Sequence, residues 1–382
     1  MTIPSWRWLG PGPVASLSRM PRSEARGGVR TRHLRIAGLL VACAIPLGVL
    51  ALRTSTPPPS GPEPEVSLLA VGDTGARPGF LDWASRQRAV GYALAKEDAR
   101  SRVDALVLLG DLFYDNGLSE SELTDRVREN VVAPYCPFVD LSGPRSDEVR
   151  GACPPGAATN RPIYAVLGNH DVTTEESRRL EIGAISPFVA NWQLSGEPAT
   201  WVALAPKVSL VLFDSNLLQN GGDTAPLRDA LRASPGPWRI LVAHHPIGTH
   251  GHRDEYTKDV RKAVRESGVP VQLMLAGHEH NLQVVAQDDP GPRLVVVSGA
   301  GSRPRDVMGK SATRLFGYDQ LGFVRVDLVA QDKSERLQVT LFSSGHWPAL
   351  LGFPPEILGR WSVAADGTIS VEPLAIRLVE AG

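Results

Sequence analysis

The apolar positions of the chain fall into short, solid runs, and most of these runs end at a glycine or a small polar residue. Seven such runs follow one another between residues 66 and 297: VSLLAV, ALVLL, IYAVL, VSLVLF, WRILVA, VQLMLA and LVVV. Short runs that are almost entirely apolar, as these are, are typical of strands buried on both faces. We therefore predict a series of buried β-strands for this part of the chain.

Helical patterns separate several of the predicted strands. Residues 80–102 carry apolar side chains at helical spacing, notably Leu81, Val90 and Leu94. Residues 119–132 begin with a serine suited to cap a helix and continue with acids in the first turn. Alternation of strands and helices favours an α/β fold.

The last part of the chain has a different pattern. Residues 322–329 and 336–344 alternate like half-exposed antiparallel strands, and no helical stretch separates them. The fold class predicted from these patterns is α/β, with two packed mixed β-sheets flanked by helices. In open α/β folds ligands collect at the carboxyl ends of the strands, so we expect a functional site there.

The N-terminal region differs in composition from the rest. Residues 1–35 form a basic segment with seven arginines and one acid, residues 36–52 carry no charge, and residues 53–64 form a proline-rich linker. This order is typical of a signal peptide or a signal-anchor helix. Because basic flanks stay in the cytoplasm, we expect an extracytoplasmic protein of bacterial type, either secreted or held at the membrane by an uncleaved N-terminal segment.

Three alternatives stay open for this region. The sequence LVAC at residues 40–43 resembles a bacterial lipoprotein cleavage site, which would place a lipid on Cys43, but the apolar run continues past that cysteine. A start of translation at Met20 would leave a more ordinary signal sequence. A core helix is the third interpretation, and the neighbouring linker argues against it.

The composition and the cysteines narrow the class of protein further. The 382 residues include 40 Lys and Arg against 41 Asp and Glu, so the chain lacks the basic excess of nucleic-acid-binding proteins and we expect no nucleic acid as a partner.

Residues 65–382 are predicted to form one domain with a loop insertion at about residues 134–160. Cys136 and Cys153 lie in that loop. In an oxidising compartment they would form a disulfide, and two unrelated thiols are the alternative.

The ends of the predicted strands carry side chains of the types that commonly bind metal ions. These are Asp73, Asp111, Asn169, His170, His244, His278 and His280. Each short motif is weak alone, but carboxylate and amide oxygens together with imidazoles are what borderline divalent or trivalent ions prefer. The set is too large for one tetrahedral site and about large enough for two octahedral ions, with Asp111 as the natural bridging ligand.

Residues 66–345 resemble the calcineurin-like metallophosphoesterases, and among them the small purple acid phosphatases of the tartrate-resistant type. The motifs GDTG, GDLFYDNG, GNHD, HHP and GHEH occur here in the family order. The resemblance implies a four-layer sandwich of two mixed sheets between helices, with the metal site at the carboxyl ends of the strands. Thr74 and Leu112 depart from the family pattern, which more often has tryptophan and asparagine there.

The resemblance also implies a role for each site residue. The implied ligands are Asp73, Tyr114 and His280 for the first metal, Asn169, His244 and His278 for the second, and Asp111 for both. His170 would face the phosphate, and His250 is a weaker match to a histidine near the leaving group. A tyrosine at the position of Tyr114 binds ferric iron in the purple enzymes, so the expected cofactors are Fe(III) and a divalent ion, which is Fe, Zn or Mn.

The activity implied is that of an exported acid phosphatase. It would hydrolyse phosphomonoesters by attack of a metal-bound hydroxide, with His170 stabilising the transition state or donating a proton to the leaving group. No protein nucleophile is needed, and Ser215 has no obvious base beside it in sequence. A dinuclear phosphodiesterase or nucleotide-cleaving enzyme is the alternative. A non-catalytic binding scaffold is disfavoured because every ligand position is filled. The oligomeric state stays open.

Overall fold

The computed structural model describes residues 63–79, 85–154, 159–249, 254–288, 290–309, 312–331 and 334–372. The predicted N-terminal segments 1–35 and 36–52, most of the linker 53–64, and His250 lie outside these ranges. Within these ranges, the helices are all too short or too polar to span a bilayer.

Strands and helices alternate through most of the described chain. The strands are β1 (Val66–Val71), β2 (Ala105–Leu108), β3 (Ile163–Ala165), β4 (Trp192–Leu194), β5 (Ala199–Ala205), β6 (Val208–Phe213), β7 (Trp238–Val242), β8 (Leu273–Ala276), β9 (Leu282–Ala286), β10 (Leu294–Ser298), β11 (Arg314–Tyr318), β12 (Gly322–Gln331), β13 (Ser334–Ser343), β14 (Glu356–Ala364) and β15 (Ile369–Glu372). The α-helices are α1 (Arg86–Arg100), α2 (Leu123–Arg126), α3 (Glu175–Gly183), α4 (Ser215–Gln219), α5 (Ala225–Ala233), α6 (Asp254–Ser267) and α7 (Trp347–Leu350).

The strands form two mixed sheets. The first has eight strands in the order β15-β14-β13-β12-β1-β2-β3-β4, and the second has seven in the order β11-β9-β10-β8-β7-β6-β5. In the first sheet β2 lies between β1 and β3 and is parallel to both. In the second sheet β8 lies between β7 and β10 and is parallel to both. The carboxyl ends of parallel neighbours meet at one edge of their sheet, and this is where the metal-type motifs follow the strands.

The two sheets pack face to face, and helices cover their outer faces. Leu68 and Val107 of the first sheet share one buried cluster with Ile240 and Leu275 of the second. α1 and the segment around α2 cover the outer face of the first sheet, and α4, α5 and α6 cover that of the second. Burying one such aliphatic side chain stabilises the fold by about 1.5–3 kcal/mol. The predicted fold class, two mixed sheets between helices, is confirmed.

The two predicted helices differ in their regularity. α1 is capped by Ser85, whose side chain accepts from the Arg88 N–H at 3.2 Å. The predicted helix 119–132 is a succession of a 3₁₀ turn, α2 and a π-helical segment, Val127–Val132. Ser119 does not cap this segment with its side chain, because its hydroxyl pairs with that of Ser121 at 3.2 Å. The predicted cap was wrong.

The prediction of half-exposed strands was also wrong for β12, which is buried from Gly322 to Val329. Its alternation is real, but α1 covers the polar face. On that face Arg325 donates to Asp327 at 2.8 Å and to the carbonyl oxygen of Ser101 at 2.6 Å. The charged side chains are therefore satisfied by each other and by the helix end rather than by solvent.

The predicted loop insertion is tied to the core in two ways. Cys136 and Cys153 form a disulfide, which confirms the predicted pairing. A cross-link over 17 residues stabilises the fold by about 3 kcal/mol in the chain-entropy picture. Phe138, Val139 and Val149 are buried in the cluster beneath α1, so the loop is also part of the core.

Candidate metal centre

Glycines allow the ends of neighbouring strands to approach closely. A Cβ on Gly168 would lie 2.2 Å from the Oδ1 atom of Asp111, and a Cβ on Gly277 would lie 2.6 Å from the Oδ2 atom of Asp73. Both distances are far below van der Waals contact, so only glycine fits at these positions. The glycine before Asn169 and the glycine before His278 are therefore part of the site.

Three of the predicted ligands have an unusual backbone conformation. Asp73, Asp111 and His278 have φ angles of 57°, 54° and 68°, in the left-handed region that L-residues rarely occupy. Each such residue costs roughly 1 kcal/mol or more. Because the chain turns at these residues, their side chains do not continue the alternation of the strand. They lie instead where the loops at the carboxyl ends of the strands meet. Strain of this kind persists where the surrounding structure and the function require it.

One group of donor atoms surrounds the hydroxyl of Tyr114. The Tyr114 Oη atom lies 3.1 Å from Asp73 Oδ1 and 2.9 Å from His280 Nε2, and the last two atoms are 3.3 Å apart. All three residues are buried. The Nδ1 atom of His280 is 2.8 Å from the carbonyl oxygen of Arg303. That contact assigns the ring proton to Nδ1 and leaves the Nε2 lone pair directed at the group, the usual arrangement for a metal-binding histidine.

A second group surrounds the amide oxygen of Asn169. Asn169 Oδ1 lies 3.1 Å from His244 Nε2 and 2.8 Å from His278 Nδ1, and the two imidazole nitrogens are 3.2 Å apart. His244 is fully buried, and its Nδ1 atom lies 2.8 Å from the carbonyl oxygen of Leu109. The Nε2 atom of His244 therefore also presents a lone pair.

Asp111 lies between the two groups. Its Oδ1 atom is 3.4 Å from His244 Nε2, and its carboxylate belongs with Asp73 and His280 to a cluster whose donor atoms lie within 4.8 Å of one another. The backbone N–H of His170 donates to the same Oδ1 atom at 3.0 Å. One carboxylate is thus in reach of both sets of donors.

The electrostatics of the cluster favour a bound cation. Burial, and next the charge of Asp111, raise the pKa of Asp73 well above its usual value. Burial also raises the pKa of Tyr114, and it lowers the pKa of His280 to about 4. A multivalent cation would reverse these shifts for Asp73 and Tyr114 because it stabilises the deprotonated forms. The two adjacent donor groups consist of hard oxygens and unprotonated imidazole nitrogens, which fit two divalent or trivalent ions.

His170 and Asp171 stand beside the cluster in different roles. The His170 ring meets the Tyr114 ring edge-on with centroids 4.7 Å apart, and its Nδ1 atom bonds to the carbonyl oxygen of Asp115. Asp171 is fully buried and accepts the backbone N–H groups of Leu112 and Gly168, each at 2.8 Å. Burial raises the pKa of Asp171 to about 7. Asp171 joins the loops after β2 and β3, a function that sequence reasoning did not assign.

Sequence comparison identifies the family. A profile of the calcineurin-like phosphoesterases matches residues 66–282, more than half of the 382 residues. The chain belongs to the calcineurin-like phosphoesterase family. This phosphoesterase is also distantly related to purple acid phosphatases. Purple acid phosphatase 17 of Arabidopsis thaliana is 27% identical over 310 residues, which cover 72% of this chain and 81% of the relative. Tartrate-resistant acid phosphatase type 5 of Sus scrofa is 25% identical over 293 residues, which cover 69% and 77%.

Solved structures share the fold of this phosphoesterase. The purple acid phosphatase PPD1 from yellow lupin (Lupinus luteus) seeds superposes with a TM-score of 0.54 at 14% identity, covering 78% of this chain and 53% of that one. GAP50, the anchor in the inner membrane complex of Plasmodium, superposes with a TM-score of 0.56 at 15% identity, covering 81% and 90%. At these identities the likeness concerns the fold alone. The predicted family resemblance is confirmed.

The structure brings most of the predicted site residues together. Six of the seven predicted metal ligands lie in the two groups described above, Asp111 lies between these groups, and His170 is beside them; His250 lies outside the described residues. Their roles as ligands and catalyst stay predictions.

Sequence reasoning missed His245, the second histidine of HHP. Its Nδ1 atom lies 2.8 Å from Ser215 Oγ, and it clusters with His244 and His278. Ser215 thus has an imidazole beside it in space, although none was evident in sequence. Because Ser215 is fully buried, its hydroxyl cannot reach a substrate. The doubled histidine was the signal that could have drawn attention to His245.

Proposed function

We propose that this phosphoesterase is an exported acid phosphatase that hydrolyses phosphomonoesters at a dinuclear metal site. The observation that carries the proposal is the buried phenol of Tyr114 against Asp73 and His280, next to a second donor group that Asp111 also reaches. When bound, two ions supply a clamp for the phosphate oxygens, charge to offset the negative transition state, and a lowered pKa for water.

The donor types divide between two ions. Asp73, Tyr114 and His280 would hold the first, and the phenolate oxygen favours ferric iron because it is a hard anionic donor. The second ion, Fe, Zn or Mn, would be held by three neutral donors, which are Asn169, His244 and His278. Asp111 would be shared. This assignment follows the donor chemistry and the relationship to purple acid phosphatases.

His170 would act on the substrate and not on the ions. Its Nδ1–H donates to the carbonyl oxygen of Asp115, which fixes the tautomer and leaves Nε2 as the nitrogen for a phosphate or leaving-group oxygen. Asp115 is itself held by Arg303, whose Nη1 atom lies 2.7 Å from its carboxylate. The ring is therefore oriented before substrate binds, as catalysis of proton transfer requires.

Two features support the extracytoplasmic location. The Cys136–Cys153 disulfide is of a kind that persists in oxidising compartments. The arginine-rich residues 1–35, the uncharged run 36–52 and the linker 53–64 have the order of an export signal or anchor ahead of the catalytic domain 65–382.

The test is metal analysis combined with a panel of esters. Protein purified without added metal should hold two ions per chain and should hydrolyse aryl and alkyl phosphomonoesters at acidic pH. Asp111→Asn, prepared in parallel, should show neither property. Hydrolysis confined to phosphodiesters or nucleotides would support the alternative enzyme class. Two bound ions without hydrolysis of any ester would support a binding scaffold and overturn the proposal.

A further inference from the structure

Arg126 is a buried cation that the charges of Glu122, Glu129 and Glu181 stabilise only from a distance. It is 1% exposed, and within the described part of the chain its guanidinium forms no ion pair with a carboxylate. Burial lowers the pKa of Arg126 to about 10, so the side chain is still charged at neutral pH. A buried charge without a counterion is unfavourable unless hydrogen bonds compensate it.

The two terminal nitrogens of Arg126 both donate to the loops that carry the first group of donors. Its Nη1 atom donates to the carbonyl oxygen of Tyr114 at 2.9 Å, and its Nη2 atom donates to that of Gly75 at 3.2 Å. Gly75 stands two residues after Asp73, on the loop after β1. Tyr114 stands on the loop after β2. One planar fork therefore spans both loops.

We propose that Arg126 is a positioning residue that sets the place of Tyr114 relative to Asp73. The Tyr114 N–H donates to the Gly75 carbonyl at 2.9 Å, and the Gly75 N–H donates to the carbonyl of Asp111 at 2.9 Å. Arg126 adds the bond on the other side of Tyr114, at its carbonyl, and thereby fixes the backbone from which the phenol projects. The inference rests on the proposed function in that Tyr114 is taken as a metal ligand.

Asn130 holds the guanidinium in this orientation. Its Oδ1 atom accepts from Arg126 Nε at 2.9 Å, and its Nδ2 atom donates to the carbonyl oxygen of Ala76 at 3.0 Å and to Gln87 at 3.1 Å. Gln87 in turn donates to the carbonyl oxygen of Asn130 at 2.8 Å. The supporting side chain is thus itself locked, which is what a precise site requires.

The test measures the Zn²⁺ affinity of the first donor group in a double-mutant cycle, with a chromophoric chelator as competitor and with one equivalent of Zn²⁺ already added to fill the second donor group. Arg126→Lys keeps the charge but loses the fork, so it should weaken Zn²⁺ binding about 10- to 100-fold, as loss of a ligand's supporting contact does. In the Tyr114→Phe background the same substitution should change affinity by less than about 3-fold, because the atom it positions is gone.

Arg239→Lys is the matched control. Arg239 is also buried and bonds Ser234 Oγ and the Ser234 carbonyl, each at 2.9 Å, but it lies at the start of β7, away from the metal groups. The Arg239→Lys variant should have a lower unfolding midpoint in urea than the wild type but should bind Zn²⁺ equally well. If Arg126→Lys behaves in the same way, or costs the same affinity with and without the phenol oxygen, Arg126 is merely structural and the inference is overturned.

Failure of this inference is separable from failure of the proposed function. The cycle reads binding only, whereas the proposed function is read by turnover of phosphate esters in the unaltered protein. A wild type that binds Zn²⁺, shows the coupling and hydrolyses nothing would keep the positioning role and reject the enzyme.

Discussion

Replacing Tyr114 by phenylalanine removes one oxygen from the centre of the first donor group and leaves the packing unchanged. The ring is 2% exposed and the two side chains differ only in the hydroxyl, so no new cavity is expected. The backbone contacts of Tyr114 with Gly75 and Arg126 are also retained. The substitution therefore isolates what the phenol oxygen does.

The magnitude follows from the hydrogen bond that the hydroxyl donates. Without ions, its single proton is donated either to Asp73 Oδ1 at 3.1 Å or to the lone pair of His280 Nε2 at 2.9 Å. Either bond contributes a net ~1 kcal/mol, and more for an ionised partner. Asp73 keeps the bond from the His278 N–H at 2.7 Å. We expect a loss of about 1–3 kcal/mol in the free energy of unfolding of the metal-free protein.

The iron-loaded protein should show the decisive difference. An ordinary phenol, with a pKa of about 10, is neutral at pH 7, and burial raises the pKa of Tyr114 further, so only a strongly charged ion would make it a phenolate. Wild-type protein loaded with iron in air should have a broad visible absorption band, and Tyr114→Phe should lack it while far-UV circular dichroism is unchanged. A colourless wild type, or a variant that keeps the band, would refute the ferric assignment and leave only the broader phosphoesterase.

Five further experiments test the remaining predictions. Asp111→Asn removes the shared anion, so metal content and turnover should fall together; two retained ions with normal turnover would contradict the dinuclear site. His170→Ala should keep both ions and lower turnover by about 10²–10⁴-fold, and unchanged turnover of an ester with a poor leaving group would exclude its role. Burial raises the pKa of Glu181 well above its usual value, so its contribution to stability is present at low pH and is lost as pH rises toward the folded-state pKa. Glu181→Gln should therefore gain up to ~1.4 kcal/mol per pH unit over the wild type in that window, and parallel stability–pH curves would contradict this. Cys136 and Cys153 should react with thiol reagents only after reduction, and a reporter fused after residue 65 should be active outside the cytoplasm.

The strands that could be predicted from the sequence are those that consist almost entirely of apolar residues. β1, β6 and β10 are apolar except for one serine each, and all their residues are buried. β9 was missed because it follows the GHEH motif almost directly and has Gln283 as its second residue, so no apolar run marks where it begins. Gln283 is 1% exposed and bonds Glu279 and Asn281. Its burial depends on partners that a pattern of apolar positions does not reveal.

The candidate metal centre also has a part that local sequence predicts and a part that it does not. Asp73, Asp111 and His278 could be predicted because each follows a strand and a glycine in a short motif. The parts played by His245 and Arg126 could not. His245 meets Ser215 across 30 residues, and Arg126 reaches Gly75 across 51. Such contacts are fixed by how the sheets pack and by the path of the loops, and no local pattern encodes them.

The distribution of backbone strain separates the site from the rest of the fold. Across the described ranges, the non-glycine residues with positive φ are Asp73, Asp111 and His278, and all three are predicted metal ligands. Turns elsewhere with positive φ use glycine, as at Gly236 and Gly268, where the conformation is nearly free of cost. If folding alone required these three turns, glycine would serve there as well. The presence of side chains at a cost of roughly 1 kcal/mol each indicates that their donor atoms are what the turns are for.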